Sequence, residues 1–389
     1  MAKRPPCVGS SSFDPATRTA DTDARSQTSD LLNQNDFAGA IKLYFQLSAN
    51  DKYVYHAITA VTLPQVQHVV SLGGANGLHS WYSSLTTTTT TPTTPLDPPP
   101  KSDIDAYTTV FLPSTLTPSA LKAFASNAKK GSVRASVAAH LAAKRYLHPA
   151  ATQLQIGKKK ATAKDVPPNP YFDFWEWSCR NLEWCGPCPE AEKRPQSHHV
   201  LPVLMHHFGC AVPSYESLEI LKTVADGRAV VDMGSGNGYW AFMLRQHGVD
   251  VKPVDNAQSE WRANWVSDTA ITDGPKWLTK NAAGKDLVLL MVYPVVGGGA
   301  GGGVEGGFTR DLMRAYQGDT VAVVGTQNRN GYTSFRDMTF DEYMEREQPE
   351  WTKVAQIPVP SFAGKDEALF IYQRGERAKK LEKAEDVKT

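Results

Sequence analysis

No stretch of this 389-residue chain carries an apolar run near the length of a bilayer span, which argues against a helical membrane protein. The N-terminus has no apolar core of a secretory leader, and its early Asp14, Asp21 and Asp23 are foreign to an organelle transit peptide. Cysteine is scarce and odd in number, five in all. That usage predicts reduced thiols in a soluble, intracellular protein of the cytoplasm or nucleus. A charge excess is also missing: at a net charge of +1 the whole molecule names no partner. Only residues 106–164 are one-sided, with ten Lys or Arg and no Asp or Glu. Such a segment suits a phosphate backbone, but it lacks the interleaved aromatics of a stacking platform. Solvated helices balanced by acids elsewhere are the competing reading.

What is present suffices for a sizeable core, with 41% hydrophobic and 10% aromatic residues. The length predicts two domains, or one with extensions. Residues 1–35 are polar and aperiodic and read as a disordered tail. Residues 36–168 read as a helical accessory region, from Phe37, Ile41, Tyr44 and Phe45 at helical spacing and a helical look over Tyr53–Ala60. A Thr/Pro-rich linker at 84–101 interrupts it. Residues 169–209 connect, and the aromatics of Asn169–Trp177 are expected to anchor the N-terminal part onto the C-terminal one. Residues 210–375 alternate strands and helices, and 376–389 form a charged tail.

Cys185-Gly186-Pro187-Cys188 reproduces a redox string, but no apolar strand precedes it and Glu190 and Glu192 follow. Zinc held by Cys179, Cys185, Cys188 and His198 or His199 is a further reading, although the spacing matches no standard pattern. Loop cysteines without a special role are the default, and no metal site is expected.

The organising stretch is Ala229-Val230-Val231-Asp232-Met233-Gly234-Ser235-Gly236-Asn237-Gly238-Tyr239-Trp240. It reads as a buried strand, a tight glycine turn and a helix ended by Gly248. Glycines let bare main chain approach a ligand, and the helix N-terminus behind the turn favours a polar or anionic group. A nicotinamide dinucleotide site wants Gly-x-Gly-x-x-Gly, whereas the third glycine here, Gly238, comes one residue early. Asp-x-Gly-x-Gly-x-Gly instead resembles motif I of the class I S-adenosylmethionine (SAM) methyltransferases.

That resemblance implies a doubly wound, seven-stranded Rossmann-like α/β sheet of order 3-2-1-4-5-7-6 over residues 210–375, with SAM as cofactor. It implies cofactor contacts from Asp232, Gly234, Ser235, Gly236, Asn237 and Gly238. Asp255, ending the Val249–Val254 strand, would accept both ribose hydroxyls, and Asp273 stands roughly where the adenine amino group is met. The Asp286–Val292 run reads as a central strand. Its end, Tyr293-Pro294, is the edge where this family places substrate, with Trp240 close by. Tyr215 and Glu216, on a helix leading into the first strand, either border the pocket or cap and face solvent. Gly297–Gly307 lacks a phosphate-loop ending and reads as a mobile lid or an insert.

In detail the Pro213–Glu216 helix start, the glycine turn and the Tyr-Pro strand end resemble a set of uncharacterised methyltransferase-like proteins, which brings no substrate with it. The methyl acceptor stays open between small molecule, protein and RNA, and no catalytic acid or base is legible. Non-catalytic SAM binding or scaffolding, RNA-associated through 106–164, is the alternative.

Overall fold

In the computed structural model, residues 7–57, 59–76, 78–82, 97–160, 166–189, 198–298, 303–379 and 381 are described. Most of the Thr/Pro-rich stretch, part of the glycine run (299–302) and the end of the charged tail lie outside them. The strands are β1 (Val54–His56), β2 (Ala60–Thr62), β3 (Tyr146–Leu147), β4 (Val230–Met233) and β5 (Val251–Asp255). They continue with β6 (Ala270–Ile271), β7 (Val288–Val292), β8 (Thr320–Thr326), β9 (Thr352–Pro358) and β10 (Glu367–Gln373).

β1 and β2 form a separate hairpin, and the other eight make one sheet in the order β3-β9-β10-β8-β7-β4-β5-β6. The strands from β6 to β8 are parallel to their neighbours, while β10, β9 and β3 pair antiparallel. The fold is therefore mixed α/β around a mostly parallel sheet. β4 is buried at every residue, as a strand covered on both faces must be. Period-two alternation splits β7 between two cores. Val288 and Leu290 face the side that also holds Leu218 and Met243; Leu289 and Met291 face Met313 and Tyr316.

Three expectations need correction. The sheet has eight strands rather than seven, because β3 of the accessory region adds to the edge of β9 through Tyr146↔Gln356 and Leu147↔Ala355. The polar residues expected to be disordered include two helices, Pro15–Ala20 and Thr22–Asn33. Asp14 and Asp21 cap them, accepting from Thr17 N and Ala24 N. Ala24, Thr28 and Leu32 then supply a buried face with a single large apolar residue, which is too little for a hydrophobic pattern to register. Third, Tyr53–Ala60 is not helical: Tyr55 points inward from β1 and its hydroxyl lies 3.2 Å from His207 Nε2.

The aromatic cluster lies on the Pro170–Asn181 helix and locks the two parts together. Trp175 Nε1 donates to the Ser361 carbonyl at 3.0 Å, and the Tyr171 hydroxyl donates to Gly209 O at 2.8 Å. The basic segment is partly consumed by pairing, within the accessory region at Arg134 and across the same seam at Lys144 and Arg145. Arg134 pairs with Asp103 at 3.0 Å, Lys144 donates to Gln327 O, and Arg145 grips Glu216 through two bonds at 2.6 and 3.1 Å.

Candidate functional site

Strand β4 delivers Met233 to the sheet's carboxyl edge, where the chain must reverse into the Tyr239–Gln246 helix. Gly234, Gly236 and Gly238 make that reversal with φ of +74°, +58° and +80°, a region closed to other residues without strain. Neighbours enforce the choice. A Cβ on Gly234 would come within 3.0 Å of Phe308, on Gly236 within 2.8 Å of Trp261, and on Gly238 within 2.3 Å of Val266. The amides of Gly234 and Ser235 both donate to Val254 O, so β5 holds the turn down.

Around the turn lies a cavity of about 270 Å³ bounded by the ends of β4, β5 and β7. It gathers Asp232, Gly234, Ser235, Gly236, Asn237, Trp240, Asp255, Asp273, Tyr293 and Pro294 from segments far apart in sequence. Gly238 alone among the expected residues stays outside the lining, since it starts the helix and packs on Val266.

Asp232 carries the strongest signal. It is 1% exposed, and neither carboxylate oxygen has a hydrogen-bond partner. Burial, reinforced by the nearby Asp255, pushes its carboxyl up to about 7. A buried carboxylate without a partner is costly, and such groups in folded proteins ordinarily meet a donor or a cation. The Ser235 hydroxyl and the Asn237 amide nitrogen are likewise buried and unpartnered. The turn thus presents an acceptor pair and two further polar groups to whatever enters.

The other expected residues occupy the site with qualifications. Asp255 accepts from Gly236 N at 2.9 Å and from Ala257 N at 2.6 Å, so it holds the turn, and each oxygen keeps one lone pair for a ligand. Asp273 caps the Gly274–Lys280 helix, accepting from Lys276 N at 3.3 Å, and stands exposed at the rim. Trp240 is buried and commits its indole N–H to Ala211 O at 2.8 Å, leaving only its ring for the pocket. Glu216 does not reach the pocket, because Arg145 holds it. Tyr215 faces His247 with ring centroids 5.9 Å apart.

Tyr293 follows β7 with φ +55° and lines the cavity, while its hydroxyl accepts from Lys365 Nζ at 2.5 Å. The Lys365 ammonium lies 5.0 Å from the centroid of that ring and 4.2 Å from that of Tyr332. Glu367, at the start of β10, is buried beside it, and neither of its oxygens completes a hydrogen bond. Burial raises Glu367 to about 7 and lowers Lys365 from its ordinary range. No sequence pattern announces this cluster, since Lys365 and Glu367 lie more than 70 positions after Tyr293. Trp261, Phe308 and Cys210 also enter the lining.

The cysteine string is structural. Cys185 is buried against the Tyr82 hydroxyl, which accepts from its amide at 2.9 Å, and burial raises its thiol to about 12. None of the five cysteines is in a disulfide. Among the described residues no cluster of metal-ligating side chains occurs, and no helix is long and apolar enough to cross a membrane.

No protein-family model matches this chain, and no curated protein sequence does. Among solved structures it is similar to a SAM-dependent methyltransferase from Agrobacterium tumefaciens, at 12% identity and a TM-score of 0.28, covering 40% of this chain and 60% of that one. A second, described as a SAM-dependent methyltransferase from Streptococcus mutans, has 11% identity and a TM-score of 0.27, covering 40% and 48%. A third, SMU.776, described as a methyltransferase complexed with SAH, has 10% identity and a TM-score of 0.28, covering 38% and 45%. The chain thus spans about half the length of the first structures it matches. At this level the likeness assigns no activity, ligand or residue role.

Proposed function

We propose that this chain is a SAM-dependent methyltransferase whose cofactor lies over the Gly234–Gly238 turn. The observation that carries the reading is Asp232: a buried carboxylate, unpartnered on both oxygens, beneath a turn of three positive-φ glycines. A ligand with a cationic amine answers that group, and the methionine end of SAM has one. Support also comes from the strand order, since β6-β5-β4-β7-β8-β10-β9 reads 3-2-1-4-5-7-6 when counted from β4.

When bound, the cofactor supplies an already activated methyl group, so the protein's work is orientation and exclusion of water. Asp232 would hold the ammonium and Asp255 the ribose hydroxyls, with the unpartnered Ser235 hydroxyl and Asn237 amide beside the turn. Trp240 and Pro294 close the pocket with apolar surface. Tyr293 would face the methyl acceptor, its hydroxyl fixed by Lys365. The acceptor class is left open by these residues.

Calorimetry with SAM, S-adenosylhomocysteine and NAD tests the cofactor. The first two should bind, NAD much more weakly; the reverse order would overturn the reading. Cell extract incubated with methyl-labelled SAM then tests turnover, and the labelled species gives the acceptor class. Binding with no label transferred would make the protein a non-catalytic SAM binder.

A further inference from the structure

The aromatic wall over the glycine turn is held in place from the opposite end of the chain. The Val8 amide donates to the Trp261 carbonyl at 3.0 Å, and Cys7 and Trp261 form a parallel β-bridge. Arg262 returns a bond from Nη1 to Val8 O at 2.8 Å. It is itself fixed, with Nη2 2.7 Å from Asp51 and its guanidinium carbon 4.5 Å from the Tyr53 ring centroid. Gly9 passes so close that a Cβ there would lie 1.7 Å from the Arg262 carbonyl oxygen. Phe13 then meets Trp265 edge-on at 5.5 Å, and Trp265 N donates to Asn237 O in the turn at 2.7 Å. Residues 7–13 thus strap down the loop after Asp255 at both Trp261 and Trp265.

Trp261 has a role of its own. Its ring fills the space that a side chain at Gly236 would take, and it lines the cavity. Its indole N–H is buried yet has no hydrogen-bond partner, whereas those of Trp240 and Trp265 both donate to backbone carbonyls. An unmet donor on a residue that lines the cavity calls for an acceptor, which an occupant can supply.

We infer that Trp261 contacts the bound cofactor, its indole N–H serving an acceptor atom of the adenosyl group, and that the 7–13 strap positions it. The inference rests on the proposed SAM site and extends that site to a segment of the chain over two hundred residues away.

The test uses the full chain and S-adenosylhomocysteine, with affinity by calorimetry and amide exchange over residues 260–265. Trp261→Phe keeps a ring and loses the donor, so affinity should fall by roughly two- to tenfold. Val8→Pro removes the strap's donor, and Gly9→Ala drives a methyl group into Arg262. Both should accelerate exchange at 260–265 and weaken binding by about threefold or more, at the scale of one lost hydrogen bond. Val8→Ala keeps the amide and should bind like the unaltered chain. Equal affinity for Trp261→Phe, or for both strap variants, overturns the inference while leaving the cofactor reading standing. A weakened Val8→Ala overturns the strap as a backbone device. Failure of the unaltered chain to bind S-adenosylhomocysteine overturns the cofactor reading and this inference together.

Discussion

Asp232 and Asp366 are both buried aspartates at the same edge of the sheet, 1% and 2% exposed. Their surroundings are opposite. Asp366 sits in the seam between the accessory region and the sheet, with His140 Nε2 2.7 Å from one oxygen and Gln327 Nε2 donating to the other at 2.6 Å. Gln356 extends the network to Gln327 at 3.1 Å. Asp232 faces the pocket and has nothing on either oxygen. At Asp366, where two parts of one chain meet, the fold satisfies a buried carboxylate internally. At Asp232, where the proposed ligand would be met, it leaves one unmet, and the protein without ligand carries the cost.

The contrast can be broken most forcefully at the seam. Asp366→Ala leaves His140 and Gln327 unmatched in the interior and should cost about 3–5 kcal/mol, the scale of a disrupted buried pair. Chemical denaturation would register it, with S-adenosylhomocysteine affinity nearly unchanged at protein concentrations where the fold persists. Asp232→Asn should do the reverse. Loss of the charge should weaken ligand binding by about 1.5–3 kcal/mol, roughly ten- to a hundredfold, without lowering the melting temperature of the free protein. If Asp232→Asn melts early and binds normally, the carboxylate belongs to the fold and the contrast fails.

Tyr293 lies between these extremes, since it lines the pocket and also accepts from a buried lysine. Tyr293→Phe should therefore destabilise by about 1–3 kcal/mol, because the Lys365 ammonium loses its acceptor. Adding Lys365→Met should recover most of that loss. Full stability in the single variant would assign the hydroxyl to the substrate alone.

A further effect is on pH dependence. Asp232 is raised from its ordinary 3.8 to about 7, and Glu367 from 4.5 to about 7. Between those limits each binds more protons folded than unfolded, so its contribution to stability is greatest below about pH 4 and falls as pH climbs towards 7. The melting temperature of the free protein should decline more gently over that window in Asp232→Asn. Affinity for S-adenosylhomocysteine should rise over it in the unaltered chain, because the amine prefers the ionised carboxylate. A slope identical in the two proteins would show that Asp232 does not titrate there.

The strand-turn-helix core of the site was legible because its signals are local. An apolar run, three glycines and a helical stripe each specify backbone within a dozen residues, and the resemblance they carry points to Asp232 and Asp255. What escaped was non-local or quiet. Trp261 reads as a core or rim aromatic with nothing to tie it to Val8, and Lys365 is brought to Tyr293 only by sheet pairing. The Thr22–Asn33 helix hid behind alanine and threonine, which bury without looking hydrophobic. Glu216 reads as either a pocket-bordering or a capping surface residue because its partner, Arg145, lies 71 positions away.

The eighth strand reaches beyond the pocket. β9 would otherwise end the sheet with a bare row of donors and acceptors, the kind of margin onto which another chain can add itself. Tyr146 and Leu147 occupy it, and His148 N extends the cover to Val354 O at 2.8 Å. The accessory region therefore covers part of that edge from within the same polypeptide. A protein trimmed to residues 210–375 would keep every glycine of the turn and still be expected to self-associate through β9.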